Sequence, residues 1–462
     1  MKNYDAIIIG AGQGGSPLSI KLAKAGWKVA LIEKRKVGGT CINDGCTPTK
    51  TMITSARIAY LIKHAADFGI ETGPYKINMS KVLERKNKVV TLFRSSMEDS
   101  MSKDDNLDLF YGKARFAGNK KIVVDTNEGV SNEITADLIF INTGARPKIP
   151  QLPGIARVNY YTSTTILDLE QVPNHLVILG AGYIAMELGQ MYRRLGSEVT
   201  FIEHSFRLLP HEDEDIAEEI ETILIEDGIK IYKNSAVQKV SQWEDNQIEL
   251  IINSNGNTQY ISCSHLLIAA GRIPNTEDLK LENSGIEMDD KGFIKTDDML
   301  ETSVKGIFAL GDVKGGPAFT HVSYNDYLII SKNILEKSSL SIKDRLVPYC
   351  IFIDPQLGRV GMTETEARKL GLKIKVARLK MDRSSRGIET GNTRGIIKAV
   401  VDESSKQILG AAVLAEDGGE IISVLQMAIM GKITYQQIRD CIFAHPTYSE
   451  SLNNLFMALD SG

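Results

Sequence analysis

The chain has 462 residues, 43% of them hydrophobic and 24% charged, with 5 cysteines and a formal net charge of −4. That length exceeds one hydrophobic core and requires about three domains. The near-neutral balance, with a pI near 6.1, excludes the basic footprint of a nucleic-acid or membrane-surface binder, and no apolar run reaches the roughly 20 residues of a membrane helix.

The N-terminus shows no basic segment followed by a long apolar one, so no signal peptide is expected. Few cysteines, odd in number, fit a reducing cytoplasm. Residues 4–10 (YDAIIIG) read as a buried strand. The turn Gly10-Ala11-Gly12-Gln13-Gly14-Gly15 follows, then a helix to about residue 25 and a strand over 28–32 ending at Glu33. In such a unit Gly10 makes the turn, Gly12 lets backbone approach a pyrophosphate, and Gly15 lets the helix pack on the sheet. The pyrophosphate rests on the helix N-terminus, and Glu33 is placed to bond a ribose 2′-hydroxyl.

Two cysteines then fall five positions apart in residues 38–50, GGTCINDGCTPTK. In a regular helix that spacing separates Cα atoms by about 7.5 Å along the axis alone, and a disulfide spans at most about 7 Å. Bridging Cys41 and Cys46 therefore needs a distorted backbone. Gly45 permits unusual φ, and Pro48 suits the first turn of a helix beginning after Cys46. A bridge closed under constraint is reducible and suits turnover. A zinc site would want a second ligand pair, which is lacking, and a structural staple would suit secretion; no metal site is expected.

Residues 80–103 read as a long amphipathic stretch and 107–126 as strand-rich. An apolar strand then breaks at Asn142-Thr143-Gly144-Ala145-Arg146-Pro147, where a cofactor can approach. The dinucleotide pattern returns with a strand over 176–179, the turn Gly180-Ala181-Gly182-Tyr183-Ile184-Ala185, a helix to 194, and a strand over 198–202 ending at Glu203. The two units are offset by 170 residues and imply two cofactors. A carboxylate at Glu203 accepts from a free 2′-hydroxyl and repels a 2′-phosphate, which favours NADH; His204 and Arg207 nearby leave NADPH open.

A second strand breaks at Gly271 in AAGRIPN, and residues 306–312 end in Gly311-Asp312, where the acid can accept from a ribityl hydroxyl or cap a turn. From about residue 347 strands (349–354, 396–402, 407–414) alternate with helices (364–370, 419–429) and no glycine-rich turn recurs, as expected of an α+β dimerisation surface. The chain closes with His445-Pro446-Thr447-Tyr448-Ser449-Glu450, where His445 and Glu450 can bond within a turn and tune a base. Cys263, Cys350 and Cys441 have no assigned role.

Together, GAGQGG, GGTCINDGCTPTK, NTGARP, GAGYIAME, AAGRIPN, ALGD and HPTYSE resemble the FAD-dependent pyridine nucleotide–disulfide oxidoreductases over nearly the whole chain. The resemblance implies an α/β fold with two Rossmann-like domains, for FAD over residues 1–150 and NAD(P) over 151–275. A central segment, 276–345, would complete the FAD site, and 346–462 would form an α+β dimerisation domain. It implies that Cys41 is the interchange thiol and Cys46 the thiol in charge-transfer contact with the flavin. Lys50 would lie near the flavin paired with Glu187, Tyr183 would lid the nicotinamide pocket, and Asp312 would hold the ribityl chain. Gly39, Thr40, Thr143 and Gly144 would line the FAD site. His445, after a cis bond to Pro446 and oriented by Glu450, would serve the partner subunit's thiols in a homodimer with a shared active site.

No cysteine pair closes the chain, as one does in mercuric reductases, and no arginine stands at Glu203-His204, as in glutathione reductases. Residues 318–327, AFTHVSYNDY, differ from the lipoamide dehydrogenase pattern and are similar to a mercuric-reductase-like branch concerned with reactive chlorine and reduction of hypothiocyanous acid. The expected activity passes electrons from NAD(P)H through FAD and the Cys41–Cys46 pair to a small disulfide or thiol oxidant; the alternatives are an NAD-dependent dihydrolipoamide dehydrogenase and a mercury or copper reductase. Asp44, apolar in relatives, would raise the thiol pKa if it faced the sulfurs and leave it alone if it faced solvent.

Overall fold

The computed structural model describes residues 2–244 and 246–460. Its first sheet is built on the strand Lys2–Ile9, which pairs in parallel with Val29–Glu33 on one side and Ser131–Ile141 on the other. Leu107–Gly118 and Ile307–Ala309 extend it in parallel at the two edges. Lys121–Thr126 joins the far ends of Leu107–Gly118 and Ser131–Ile141 as an antiparallel meander. Ile7, Ile8 and Leu31 are wholly buried, as expected of parallel strands covered on both faces.

The second sheet repeats the plan with five parallel strands in the order Lys230–Tyr232, Glu198–Ile202, His175–Leu179, His265–Ile268 and Tyr160–Thr162. An antiparallel meander over Ser235–Gln242, Ile248–Ser254 and Asn257–Cys263 attaches to it. Both first strands end in a glycine whose backbone no L-residue adopts cheaply. Gly10 has φ +103° and an added Cβ would stand 2.4 Å from the Asn142 carbonyl oxygen; Gly180 has φ +96° and a Cβ there would stand 2.7 Å from that of Ala269. The breaks at NTGARP and AAGRIPN are thus what the two dinucleotide turns press against. They also pair with each other, Ala145–Pro147 antiparallel to Arg272–Pro274, and tie the two sheets together.

The third sheet is antiparallel throughout, in the order Tyr349–Ile351, Gln356–Gly361, Ile408–Ala415, Ile396–Asp402 and Ile374–Lys380. The helix Gly418–Met430 packs on it, and Leu425 and Phe456 are buried in its core. A buried ammonium fastens this unit to the second sheet: Lys398 Nζ lies 3.0, 2.8 and 2.8 Å from the carboxylates of Asp213, Asp215 and Glu364. Such a charge is tolerated only when fully paired.

Candidate active site

The backbone break required between the cysteines is present. Cys41 lies in a short helix, Gly39–Asn43, and Cys46 opens a second, Cys46–Lys63. At the break Gly45 takes φ −137° and ψ −112°. It is needed for space, since a Cβ there would lie 2.9 Å from the Thr40 carbonyl oxygen. Pro48 sits in the first turn, where its missing N–H costs nothing.

The two thiols are unequal. The hydrogen bond that Cys41 gives Cys46 lowers the pKa of Cys46, and Thr320 and Lys50 add to this against the cost of burial. The same bond, with burial, pushes Cys41 up. Thr320 Oγ1 stands 3.2 Å from Cys46 Sγ. It opens the helix Thr320–Leu335, whose positive end therefore also faces the sulfur. Asp44 turns away and pairs with Arg35 at 2.6 Å, so the reading in which it raises the thiol pKa finds no support.

Lys50 and Glu187 meet as expected, Nζ to Oε2 at 2.6 Å. The other Glu187 oxygen accepts from the Phe352 N–H at 2.9 Å, and Lys50 lies 4.8 Å from the Phe352 ring centroid. One carboxylate thus joins the thiol helix, the second dinucleotide helix and the third sheet.

These groups line one cavity of about 910 Å³. Gly10, Gly12, Glu33, Gly39 and Thr40 line it together with Cys41, Cys46, Lys50 and Glu187. Thr143, Gly144, Tyr183 and Asp312 are on the same wall system, as is Arg272, which the motifs did not single out. The residues fit a flavin dinucleotide. The Arg272 Nε is buried without a partner, and a Cβ at Gly144 would meet nothing within 4 Å, leaving backbone open to a ligand; Gly182 and Gly271 do not line this cavity. Burial raises the pKa of Asp312, while Arg272, 3.7 Å away, opposes the rise. Gly15 and Gly311 lie behind the cavity: Gly15 donates to the Asn142 side chain at 2.8 Å and Gly311 to buried Asp326 at 2.9 Å.

Glu33 and Glu203 are each bonded to backbone N–H groups of their own unit. Glu33 accepts from the Ala11 N–H at 2.9 Å and the Arg35 N–H at 2.8 Å. Glu203 accepts from Ala181 and Ser205 N–H groups, both at 2.8 Å. Each acid therefore staples its own glycine turn. Arg207 donates to the Pro210 carbonyl at 2.9 Å, while His204 Nδ1 sits 2.8 Å from Glu203.

Sequence reasoning missed Asn142, which accepts from Gly15 and donates to the Leu310 carbonyl at 2.8 Å, joining three segments. It missed Thr320, and also an aromatic stack on the cavity wall: Phe319 lies 5.3 Å from the Tyr349 ring centroid at 11° and 5.8 Å from Tyr183. Tyr349 is held by its hydroxyl on buried Glu212. Asn142 opens the NTGARP motif, where its role is silent, while Phe319, Thr320 and Tyr349 belong to no glycine-turn or thiol motif.

His445 Nδ1 lies 2.9 Å from Glu450, and the His445–Pro446 bond is cis. This pair does not line the cysteine cavity of its own chain; the His445 side chain is 67% exposed.

The family model of the pyridine nucleotide-disulphide oxidoreductases matches residues 4–326, and that of their dimerisation domain matches residues 347–456. The chain belongs to this family, and is a flavin-dependent disulfide oxidoreductase that uses a pyridine nucleotide. It is 41% identical over 460 residues to the probable pyridine nucleotide-disulfide oxidoreductase RclA of Escherichia coli strain K12, covering 99% of both chains. It is 34% identical to a mercuric reductase of Staphylococcus aureus, covering 99% of this chain and 83% of that one, and 33% identical to a dihydrolipoyl dehydrogenase of Thermus scotoductus, covering 99% and 98%. The Cu(II) complex of the HOCl-induced flavoprotein disulfide reductase RclA from Escherichia coli superposes with a TM-score of 0.91 at 40% identity, covering 99% of this chain and 100% of that one. Among the described residues no helix is long and apolar enough to cross a membrane.

Proposed function

We propose that the chain is an NADH-dependent reductase of a small sulfur-centred oxidant, working through Cys41 and Cys46 in a homodimer whose active sites are shared. The observation that carries this reading is geometric: Cys41 and Cys46, with Thr320 Oγ1 3.2 Å from the Cys46 sulfur and the Lys50–Glu187 pair nearby, line the cavity that the first glycine turn also lines. Bound FAD would accept hydride from nicotinamide and deliver the electron pair to the Cys41–Cys46 disulfide. Gly10, Gly12, Gly39, Thr143, Gly144 and Asp312 would hold it, and Lys50, fixed by Glu187, would place a positive charge beside it. NADH is favoured over NADPH because the acid that ends the second unit, Glu203, would repel a 2′-phosphate, while Arg207 is engaged with Pro210.

With hypothiocyanous acid the chemistry balances in two steps. The Cys41 thiol attacks the oxidant's sulfur, forming Cys41–S–SCN and releasing water. Cys46 thiolate then attacks Cys41 sulfur, restoring the disulfide and releasing thiocyanate. The base that takes the Cys41 proton and returns it to the departing hydroxide would be the partner subunit's His445, since this chain's own pair is exposed and away from its own cysteines. The division into units at 1–150, 151–275, 276–345 and 346–462, and a cytoplasmic location, belong to the same reading.

The test is anaerobic reduction with NADH or NADPH, then challenge with hypothiocyanite, lipoamide, glutathione disulfide and Hg²⁺. The reading requires faster reduction by NADH and fastest reoxidation by hypothiocyanite, with loss of reoxidation in Cys41→Ser. Preferential turnover of lipoamide with NAD⁺ would make the chain a dihydrolipoamide dehydrogenase, and preferential turnover of Hg²⁺ a metal reductase.

A further inference from the structure

We propose that Glu416 is a positioning residue for the acid/base pair, setting the placement of His445 and Glu450 through Tyr448; this rests on the reading of His445 given above. Glu416 follows the strand Ile408–Ala415 and receives donors from three separate parts of the chain. Its Oε1 accepts from Arg57 of the helix Cys46–Lys63. Its Oε2 accepts from the Asn392 side-chain amide and, at 2.9 Å, from the Tyr448 hydroxyl.

Tyr448 is the anchor of the turn that carries the base. Its ring is buried, 8% exposed, in the core of the third sheet. Its hydroxyl is shared between Glu416 and Thr390, and burial holds the phenol protonated, with a pKa pushed up to about 12. His445, three residues earlier, has no such burial. Its orientation depends on Glu450 and on what fixes the turn beneath it: Thr447, which donates to the Ala444 carbonyl at 2.9 Å and accepts from the Glu450 N–H at 3.2 Å, and Tyr448. Tyr448 reaches the body of the sheet through its side chain, with Glu416 as the charged group that receives it, while Ser451, just past Glu450, adds a neutral anchor, its hydroxyl 2.8 Å from that of Ser384. A carboxylate accepts an O–H more strongly than a neutral acceptor does, which suits it to fix a side chain.

The placement has a second consequence. Arg57 lies on the helix that begins at Cys46 and carries Lys50. One carboxylate therefore holds both the thiol helix of its own site and the turn that presents a base to the neighbouring site. A base that drifts by an ångström loses rate without losing the fold.

The experiment uses the holoenzyme dimer with Glu416→Gln, Tyr448→Phe, the double variant, and His445→Gln as reference. Flavin reduction by NADH and reoxidation of the reduced thiols by the aromatic disulfide DTNB are followed separately across pH. The expected result is reoxidation slowed about tenfold in each single variant, the scale of a misplaced base, against about a hundredfold or more in His445→Gln. Reduction by NADH stays unchanged, the basic limb of the reoxidation profile shifts, and the double variant is no slower than the singles because both cut one link. Wild-type reoxidation in Glu416→Gln and Tyr448→Phe, with His445→Gln impaired, overturns the positioning role alone. Equal loss in both half-reactions with a lowered Tm reduces Glu416 to domain glue and overturns it too. Unimpaired reoxidation in His445→Gln removes the acid/base reading and the proposal with it.

Discussion

Thr320→Val is the sharpest probe of the thiol pair. The side chains are nearly isosteric, so the helix Thr320–Leu335 and its positive end remain, and only the hydroxyl 3.2 Å from Cys46 Sγ is lost. A hydrogen bond to a charged acceptor is worth about 1.5–3 kcal/mol, and one pKa unit corresponds to about 1.36 kcal/mol. The Cys46 pKa should therefore rise by about one to two units. The measurement is the pH dependence of iodoacetamide alkylation in a Cys41→Ser background, where Cys46 is the only redox thiol left. Asp44→Val is the control: with its carboxylate 2.6 Å from Arg35, its removal should leave the midpoint where it was. An unmoved midpoint in Thr320→Val, or a lowered one in Asp44→Val, would show that the local field at Cys46 has been misassigned.

Other outcomes follow from the same geometry. Gly10→Ala combines an unfavourable φ of +103° with a Cβ 2.4 Å from the Asn142 carbonyl oxygen, a cost above about 1–2 kcal/mol, and should appear as flavin-poor protein on purification; full flavin content would refute it. Glu203→Gln removes the negative acceptor that staples Ala181 and Ser205. It should raise the KM for NADH about tenfold, equivalent to about 1.4 kcal/mol, and narrow the preference over NADPH, both read by steady-state kinetics. Burial alone would raise the pKa of Asp213, but hydrogen bonds from Thr365, Glu364 and Lys398 bring it down to about 2. The group is depressed in the folded state, so its stabilisation is complete above the ordinary value of 3.8 and is lost as pH falls through about 2. Asp213→Asn should cost about 1–3 kcal/mol at neutral pH and flatten the acid limb of a Tm-against-pH curve.

Much of this molecule was legible from local chemistry. A strand that must turn within one residue to let backbone meet a pyrophosphate needs glycine at Gly10 and again at Gly180, so both dinucleotide units could be read from spacing alone. The need for a break between Cys41 and Cys46 follows from helix rise and the His445–Glu450 pair from its spacing, whereas the Lys50–Glu187 pair follows from the family resemblance. Gly45 matters for room as well as for backbone freedom, and the need for room depends on what stands opposite, here the Thr40 carbonyl.

What only the tertiary structure decided is which distant groups share a field or a support. Thr320 lies 274 positions from the sulfur it faces, and Asn142 joins Gly15 to Leu310 without belonging to any turn signature. Asp44 could not be oriented until Arg35 was placed beside it. Sequence patterns report constraints between neighbours along the chain, where spacing limits geometry. The balance of charge on a thiol, or the firmness of a catalytic turn, depends on groups brought together by packing, and side chains such as Thr320 and Glu416 have no periodic or local pattern that announces their partners.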